Sequence, residues 1–258
     1  MLPEAETIDF GRLKDSCESG ETDLVVVLGP TASGKTRYAV ELARRLGDTE
    51  IISADSRQVY CGMDIGTGKD LGEYGEVPYH LIDILPAGAQ YNVFEFQKDF
   101  RRVYADIRGR GAFPLLCGGT GMYINAVTRG YDFKDRTPLS SARPAAAAEG
   151  LPSRPFFIGT LVSRETRNAR IDRRLDARLK EGMVDEVKGL LDGGVPSETL
   201  ISYGLEYKFV TLYLLGELSY EEMRARLATA IHQFAKRQMT WFRGMERSGV
   251  RIHWTEVE

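Results

Sequence analysis

The chain of 258 residues is 43% hydrophobic and 28% charged, enough apolar content to bury one substantial core with a smaller appended lobe and to exclude a wholly disordered chain. Its formal charge of -3 excludes the global basic field that marks many nucleic-acid binders, so any RNA contact must come from a local patch. Three widely spaced cysteines, Cys17, Cys61 and Cys117, argue against a disulfide framework or a closed zinc site and fit a reducing cytoplasm.

Residues 1–23 are rich in Asp and Glu and lack the basic start and apolar core of a signal peptide; they read as a short extension before the domain. No apolar run reaches membrane-spanning length, so no membrane association is expected. The continuous apolar run from Leu24 to Leu28 predicts a central strand buried on both faces of a parallel sheet. Tyr38, Ala39, Leu42, Ala43 and Leu46 then recur at helical spacing, with Gly47 as a stop signal. Ile51-Ile52 opens a second strand, and the run from Leu81 to Leu85 reads as another. A helix follows Asn92, with Phe96, Phe100, Val103, Tyr104 and Ile107 on one face, and the run from Phe113 to Cys117 leads into a glycine turn at Gly118-Gly119. Strands alternating with helices imply an α/β fold, a P-loop doubly wound parallel sheet spanning residues 24–133. Residues 134–155 shift to Pro, Ser, Ala and Arg and read as a linker or reduced insertion. Residues 156–258 read as a mostly helical part completing the core, with helices over 171–191 and 219–243 and a short ending around Ile252 and Trp254. Seven basic residues lie within residues 164–180, among three acidic ones. They are a candidate RNA-binding patch or a solvated, ion-paired helix face.

Gly29-Pro30-Thr31-Ala32-Ser33-Gly34-Lys35-Thr36 fits the phosphate-binding loop pattern, with a strand before it and a helix after it. Glycines let backbone amides turn toward phosphate oxygens, the helix presents its N-terminal dipole, Lys35 neutralises charge and Thr36 can ligate Mg²⁺. The loop implies a bound diphosphate or triphosphate without naming the reaction. A kinase or NTPase, a nucleotide-binding switch, and a transferase with a pyrophosphate leaving group all remain open. Asp55, just past the second strand at the carboxyl edge of the sheet, can be a metal ligand, a helix cap or a general base. Asp83 could instead be the magnesium-binding carboxylate of a kinase.

The ordered set of this loop, Asp55-Ser56-Arg57-Gln58-Val59-Tyr60, Asp64-Ile65-Gly66-Thr67, His80-Leu81-Ile82-Asp83, Gly118-Gly119-Thr120-Gly121-Met122-Tyr123 and Ala235-Lys236-Arg237-Gln238-Met239-Thr240-Trp241 resembles the tRNA dimethylallyltransferase family. The resemblance runs from residue 24 to about residue 254. It implies transfer of a dimethylallyl group from dimethylallyl diphosphate to N6 of adenosine 37 in a tRNA anticodon stem-loop, with Mg²⁺ as cofactor. The diphosphate would sit on Gly29, Thr31, Ala32, Ser33, Gly34, Lys35 and Thr36, with Arg170 matching an arginine that helps to hold it. Asp55 matches the family's base and Thr120 its substrate-channel threonine, while Ser56, Arg57 and Gln58 would meet the acceptor. The resemblance gives His232 no role. Typical bacterial members carry a helical, RNA-gripping insertion after the Gly-Gly-Thr motif, and residues 134–155 are too short for it. That shortening leaves free AMP, ADP or ATP as the alternative acceptor, the substrates of a related, compact class of adenylate isopentenyltransferases.

Overall fold

A computed structural model describes residues 3–129 and 150–257. Its centre is a six-stranded sheet in the order β4-β2-β6-β1-β7-β8, every pairing parallel. The strands are β1 (Leu24–Leu28), β2 (Thr49–Ser53), β4 (Tyr79–His80), β6 (Phe113–Gly118), β7 (Pro155–Leu161) and β8 (Ile252–Glu256). β3 (Tyr60–Cys61) and β5 (Leu85–Pro86) form a separate two-stranded pair. All five residues of β1 are fully buried, and their side chains alternate between two cores as a pleated strand requires. Leu24, Val26 and Leu28 pack under α3 (Val93–Gly109) and α4 (Gly121–Thr128), against residues such as Phe96, Phe100 and Ile124. Val25 and Val27 pack under α2 (Lys35–Leu46), which presents Ala39, Val40, Leu42 and Ala43.

The stretch read as an N-terminal extension includes a helix, α1 (Phe10–Glu18), capped by the Asp9 side chain, with Ile8 and Leu13 buried in the α2 side of the core. Asp23 accepts hydrogen bonds from the Ser153 and Arg154 N–H groups at 2.7 and 2.9 Å, fixing the point at which the chain enters β7. Most of the expected linker, residues 134–149, lies outside the described residues.

The C-terminal half is a helical lobe of α5 (Arg164–Glu181), α6 (Met183–Asp192), α7 (Ser197–Tyr203) and α8 (Leu205–Leu214), with its own core around Ile171, Leu175, Val187, Tyr207 and Val210. The helix expected over 171–191 is divided at Gly182, whose φ of 106° only glycine adopts easily. α9 (Tyr220–Arg247) opens with a Ser219–Glu222 capping box and, at 28 residues, extends for about 42 Å. Its first half buries Met223, Leu227 and Ile231 in the lobe, and its last turns bury Phe242 and Met245 in the sheet core. α9 is thus the element shared by both halves.

The run from Leu81 to Leu85 is not a strand: Leu81 and Asp83 have φ of 62° and 54°, and only Leu85–Pro86 pairs, with β3. Asp83 is drawn into an ion pair with the buried Lys69, which also bonds Asp64 Oδ1 at 2.8 Å and the Tyr60 carbonyl at 2.5 Å. Asp83 does not line the cavity beside the phosphate loop. β7, at the start of the segment read as mostly helical, lies beside β1 over all five residues.

Candidate active site

β1 ends at Leu28 and the chain turns through the phosphate loop into α2. Ser33 Oγ bonds Thr160 Oγ1 of β7 at 2.6 Å in full burial, so this hydroxyl is turned into the fold and Ser33 does not line the cavity beside the loop. Gly29 sits against the same pair and likewise stays outside the cavity lining. Thr31, Ala32, Gly34, Lys35 and Thr36 face a cavity of about 460 Å³ at the carboxyl edge of the sheet, where open α/β folds bind ligands. Burial pushes the Lys35 ammonium below the ordinary lysine value, while Cys117 and Asp55 pull the other way. The Cys117 thiol behind it is pushed up to about 12 by burial and is no nucleophile.

The far wall of this cavity is α5. Arg170 and Arg174 line it one helical turn apart, and Arg178, one turn further, lines the neighbouring chamber. Arg164, Arg173 and Lys180 of the same helix are exposed, so the expected basic patch divides into a site-facing stripe and a solvated face. Arg174 Nε is buried without a hydrogen-bond partner, and Arg178 stands 3.8 Å from Asp70. Burial, reinforced by Arg174, pushes Arg178 down to about 10. Cations held in this way favour an anionic ligand. Gly68, with φ of 65°, makes room for both guanidinium groups: a Cβ there would lie 1.7 Å from Arg178 Nη2 and 2.0 Å from Arg174 Nη2.

Asp55 stands where two chambers meet, since it lines both the cavity of the phosphate loop and a second cavity of about 470 Å³. Its Oδ1 accepts the Arg57 N–H at 2.9 Å, and Thr120 Oγ1 accepts the neighbouring Ser56 N–H at 3.3 Å. Ser56, Arg57 and Thr120 line the second chamber. Gln58 does not; it lines the first, takes a bond from Ser53 Oγ at 3.0 Å and donates to the Gly68 carbonyl at 3.3 Å. The mouth of the second chamber carries Met122, Phe234 and Trp241, each about 40% exposed or more, with Arg237 between the two aromatic residues on α9. On its inner wall Glu206 is pushed upward by burial, against Arg178 and Arg174.

Other residues hold these walls without a signal that sequence reading used. Glu186 of α6 accepts the N–H groups of Asp64, Ile65 and Gly66 at 2.8, 2.7 and 3.0 Å, and the Tyr207 hydroxyl at 2.6 Å, fixing the loop that carries Thr67 and Gly68. Arg174 and Arg178 follow Arg170 at four-residue intervals, a spacing visible in the sequence. His232 lies away from both chambers, 2.9 Å from Asp172. Among the described residues no cluster of three His, Cys, Asp or Glu is arranged to hold a metal, and no helix is long and apolar enough to cross a membrane.

The IPP transferase family model matches residues 58–153 and 134–245, and the isopentenyl transferase model matches residues 22–74. The chain is 51% identical to tRNA dimethylallyltransferase 1 of Porphyromonas gingivalis, over 91% of this chain and 94% of the relative. It belongs to the tRNA dimethylallyltransferase family. A family member from Parabacteroides distasonis is 50% identical over 91% of this chain and 92% of its own. The solved tRNA isopentenylpyrophosphate transferase of Bacillus halodurans superposes with a TM-score of 0.79 at 33% identity, covering 91% of this chain and 89% of that one. The alignment to the P. gingivalis family member runs over 284 positions against 91% of a 258-residue chain, so about 50 positions of the relative lie opposite gaps here. The two matched segments of the IPP transferase model overlap at residues 134–153.

Proposed function

We propose that this tRNA-modifying prenyltransferase joins the dimethylallyl group of dimethylallyl diphosphate to the exocyclic N6 of adenosine 37 in a tRNA anticodon stem-loop, releasing pyrophosphate. The observation that carries the reading is the position of Asp55, on the wall shared by a cationic phosphate chamber and a second chamber rimmed by exposed aromatic residues. A diphosphate in the first chamber meets the loop amides, Lys35, Arg170 and Arg174, which stabilise the charge that grows as the donor C–O bond breaks. An adenine turned out of its stack enters the second chamber past Trp241 and Phe234, surfaces suited to stacking on unpaired bases. The N6 lone pair is delocalised into the ring and weakly nucleophilic. Asp55 accepts the N6 proton as the C–N bond forms, and the bonding pair of the broken C–O bond leaves with pyrophosphate. Ser56, Arg57 and Thr120 orient the acceptor, while Gln58 acts from the phosphate side.

The donor set fits Mg²⁺. The Thr36 hydroxyl and the Glu73 carboxylate present hard oxygen ligands to the first chamber, and the diphosphate itself would complete the coordination. Bound there, the ion would supply further neutralisation of the leaving group.

The test is incubation of purified protein with dimethylallyl diphosphate, Mg²⁺ and an anticodon stem-loop RNA. Pyrophosphate release matched by one isopentenyl group per RNA supports the reading. Prenylation of AMP with none of the RNA replaces tRNA by a free nucleotide, and transfer of an ATP γ-phosphate without prenyl transfer overturns it.

A further inference from the structure

Gln238 lies inside the α9 segment that borders the acceptor mouth, flanked by Arg237 and three residues before Trp241, yet its side chain is buried, 8% exposed. Both ends of its amide are used. Oε1 accepts the Thr31 N–H of the phosphate loop at 2.8 Å, and Nε2 donates to the Gly119 carbonyl at 3.0 Å. Thr31 lines both chambers. Gly119 precedes Thr120, whose hydroxyl accepts the Ser56 N–H next to Asp55, and the Thr120 N–H itself bonds the Ala54 carbonyl at 3.3 Å. A single side chain from the helix bordering the acceptor therefore spans the donor loop and the turn that supports the base. Gly119 is shaped to this arrangement: a Cβ there would lie 2.5 Å from Gln238 Nε2.

We propose that Gln238 is a positioning residue that sets the gap between the diphosphate loop and the Asp55 turn, so that the donor carbon and the acceptor nitrogen meet at reacting distance. The role rests on the prenyl-transfer function proposed above. It follows from the steep dependence of bimolecular chemistry on alignment, where a misplacement of about 1 Å can cost on the order of 100-fold in rate. Gln238 contributes no charge to the diphosphate, and its two hydrogen bonds go to Thr31 and Gly119 rather than to Lys35, Arg170 or Arg174. Its loss should appear in turnover and not in donor-site affinity.

Two substitutions separate the arms. Gln238→Met keeps the volume and removes both bonds; Gln238→Glu keeps an acceptor for the Thr31 N–H and, ionised, loses the donor to Gly119. The experiment measures kcat with saturating stem-loop RNA and, by calorimetry, the Kd for pyrophosphate with Mg²⁺. The expected result is a kcat at least about tenfold lower in Gln238→Met and an intermediate loss in Gln238→Glu, with pyrophosphate affinity within about threefold of wild type in both. Wild-type kcat in Gln238→Glu overturns the proposal, as does a fall in kcat and pyrophosphate affinity by the same factor, which would make the residue a part of the donor-site fold. Should Gln238→Met fail to fold, Gln238→Glu alone decides. The wild-type control keeps the two questions apart: no transfer by wild type removes the proposed function and this role with it, whereas normal transfer by wild type and both variants removes this role alone.

Discussion

At Asp55 one carboxylate oxygen is engaged by the Arg57 N–H, as in any short polar residue that caps a turn, while the side chain also lines both chambers. Capping is compatible with the proposed base role, and Asp55→Asn separates the two, because the amide oxygen still caps but no longer takes a proton. Its kcat should fall by about 10²- to 10⁴-fold with pyrophosphate binding nearly intact. Full turnover with a lower melting temperature would reduce Asp55 to a cap. Under the proposed function Lys35 should behave oppositely, its charge meeting the diphosphate in ground and transition states alike. Lys35→Ala should weaken pyrophosphate binding by about tenfold or more, a charge-assisted bond being worth about 1.5–3 kcal/mol. Burial lowers the Lys35 pKa, so in the free protein the site loses its proton, and wild-type pyrophosphate affinity starts to fall, below the ordinary lysine value of 10.5. The Lys35→Ala protein should lack that alkaline limb; a limb of the same size in both would assign it to another group.

The sheet edge shows how one buried carboxylate joins elements that have no sequence proximity. Glu50 of β2 accepts two bonds from Arg110, the residue that ends α3, at 2.6 and 3.2 Å, and lies 2.6 Å from His80 Nε2 of β4. Burial pushes the Glu50 pKa up, but the Arg110 and His80 hydrogen bonds outweigh it and hold the group below 4.5. A depressed carboxylate contributes stability that is present above its unfolded pKa and lost as pH falls through the folded one. Glu50→Gln should therefore cost about 1–3 kcal/mol at neutral pH by denaturant melts, with the gap to wild type closing as pH is taken below 4.5. An equal gap at every pH would point to packing rather than charge. Elements governed by local chemistry were legible in the sequence: the apolar β1, the loop before α2, the Asn92 cap of α3 and the Ser219 cap of α9. Elements decided by distant partners were not. The apolar run at 81–85 signals burial, but Lys69 turns Asp83 aside, and β7 is recognisable only beside β1, about 130 residues earlier. At the site, the loop residues and Asp55 were legible because their motif carries its own geometry. Gln238 and Glu186 were not, because each acts on backbone 119 to 207 residues away.

Across the whole molecule, a chain of net charge -3 must concentrate its RNA affinity locally, and the candidates are the mouth of the second chamber and the basic residues of α9. Because about 50 positions of the P. gingivalis family member have no counterpart here, fewer phosphate contacts are expected, so binding should be weaker than in that relative and its slope of log K against log salt shallower. Arg237→Ala should weaken stem-loop binding and, if it meets a phosphate, lower the slope of log K against log salt by about 0.7 to 1. An unchanged slope would take Arg237 out of the phosphate contacts. An adenine carried by RNA or by a free nucleotide would meet the same proposed chamber, so the acceptor is the claim on which the account turns. The measurement that reaches it most directly is mass spectrometry of nucleosides and anticodon fragments in tRNA from cells lacking the protein, compared with the same cells complemented by it. The account predicts prenylated adenosine only on complementation, at the adenosine immediately 3′ of anticodons that read U-starting codons. Complemented cells whose tRNA stays unprenylated, while the purified protein prenylates AMP, would contradict it.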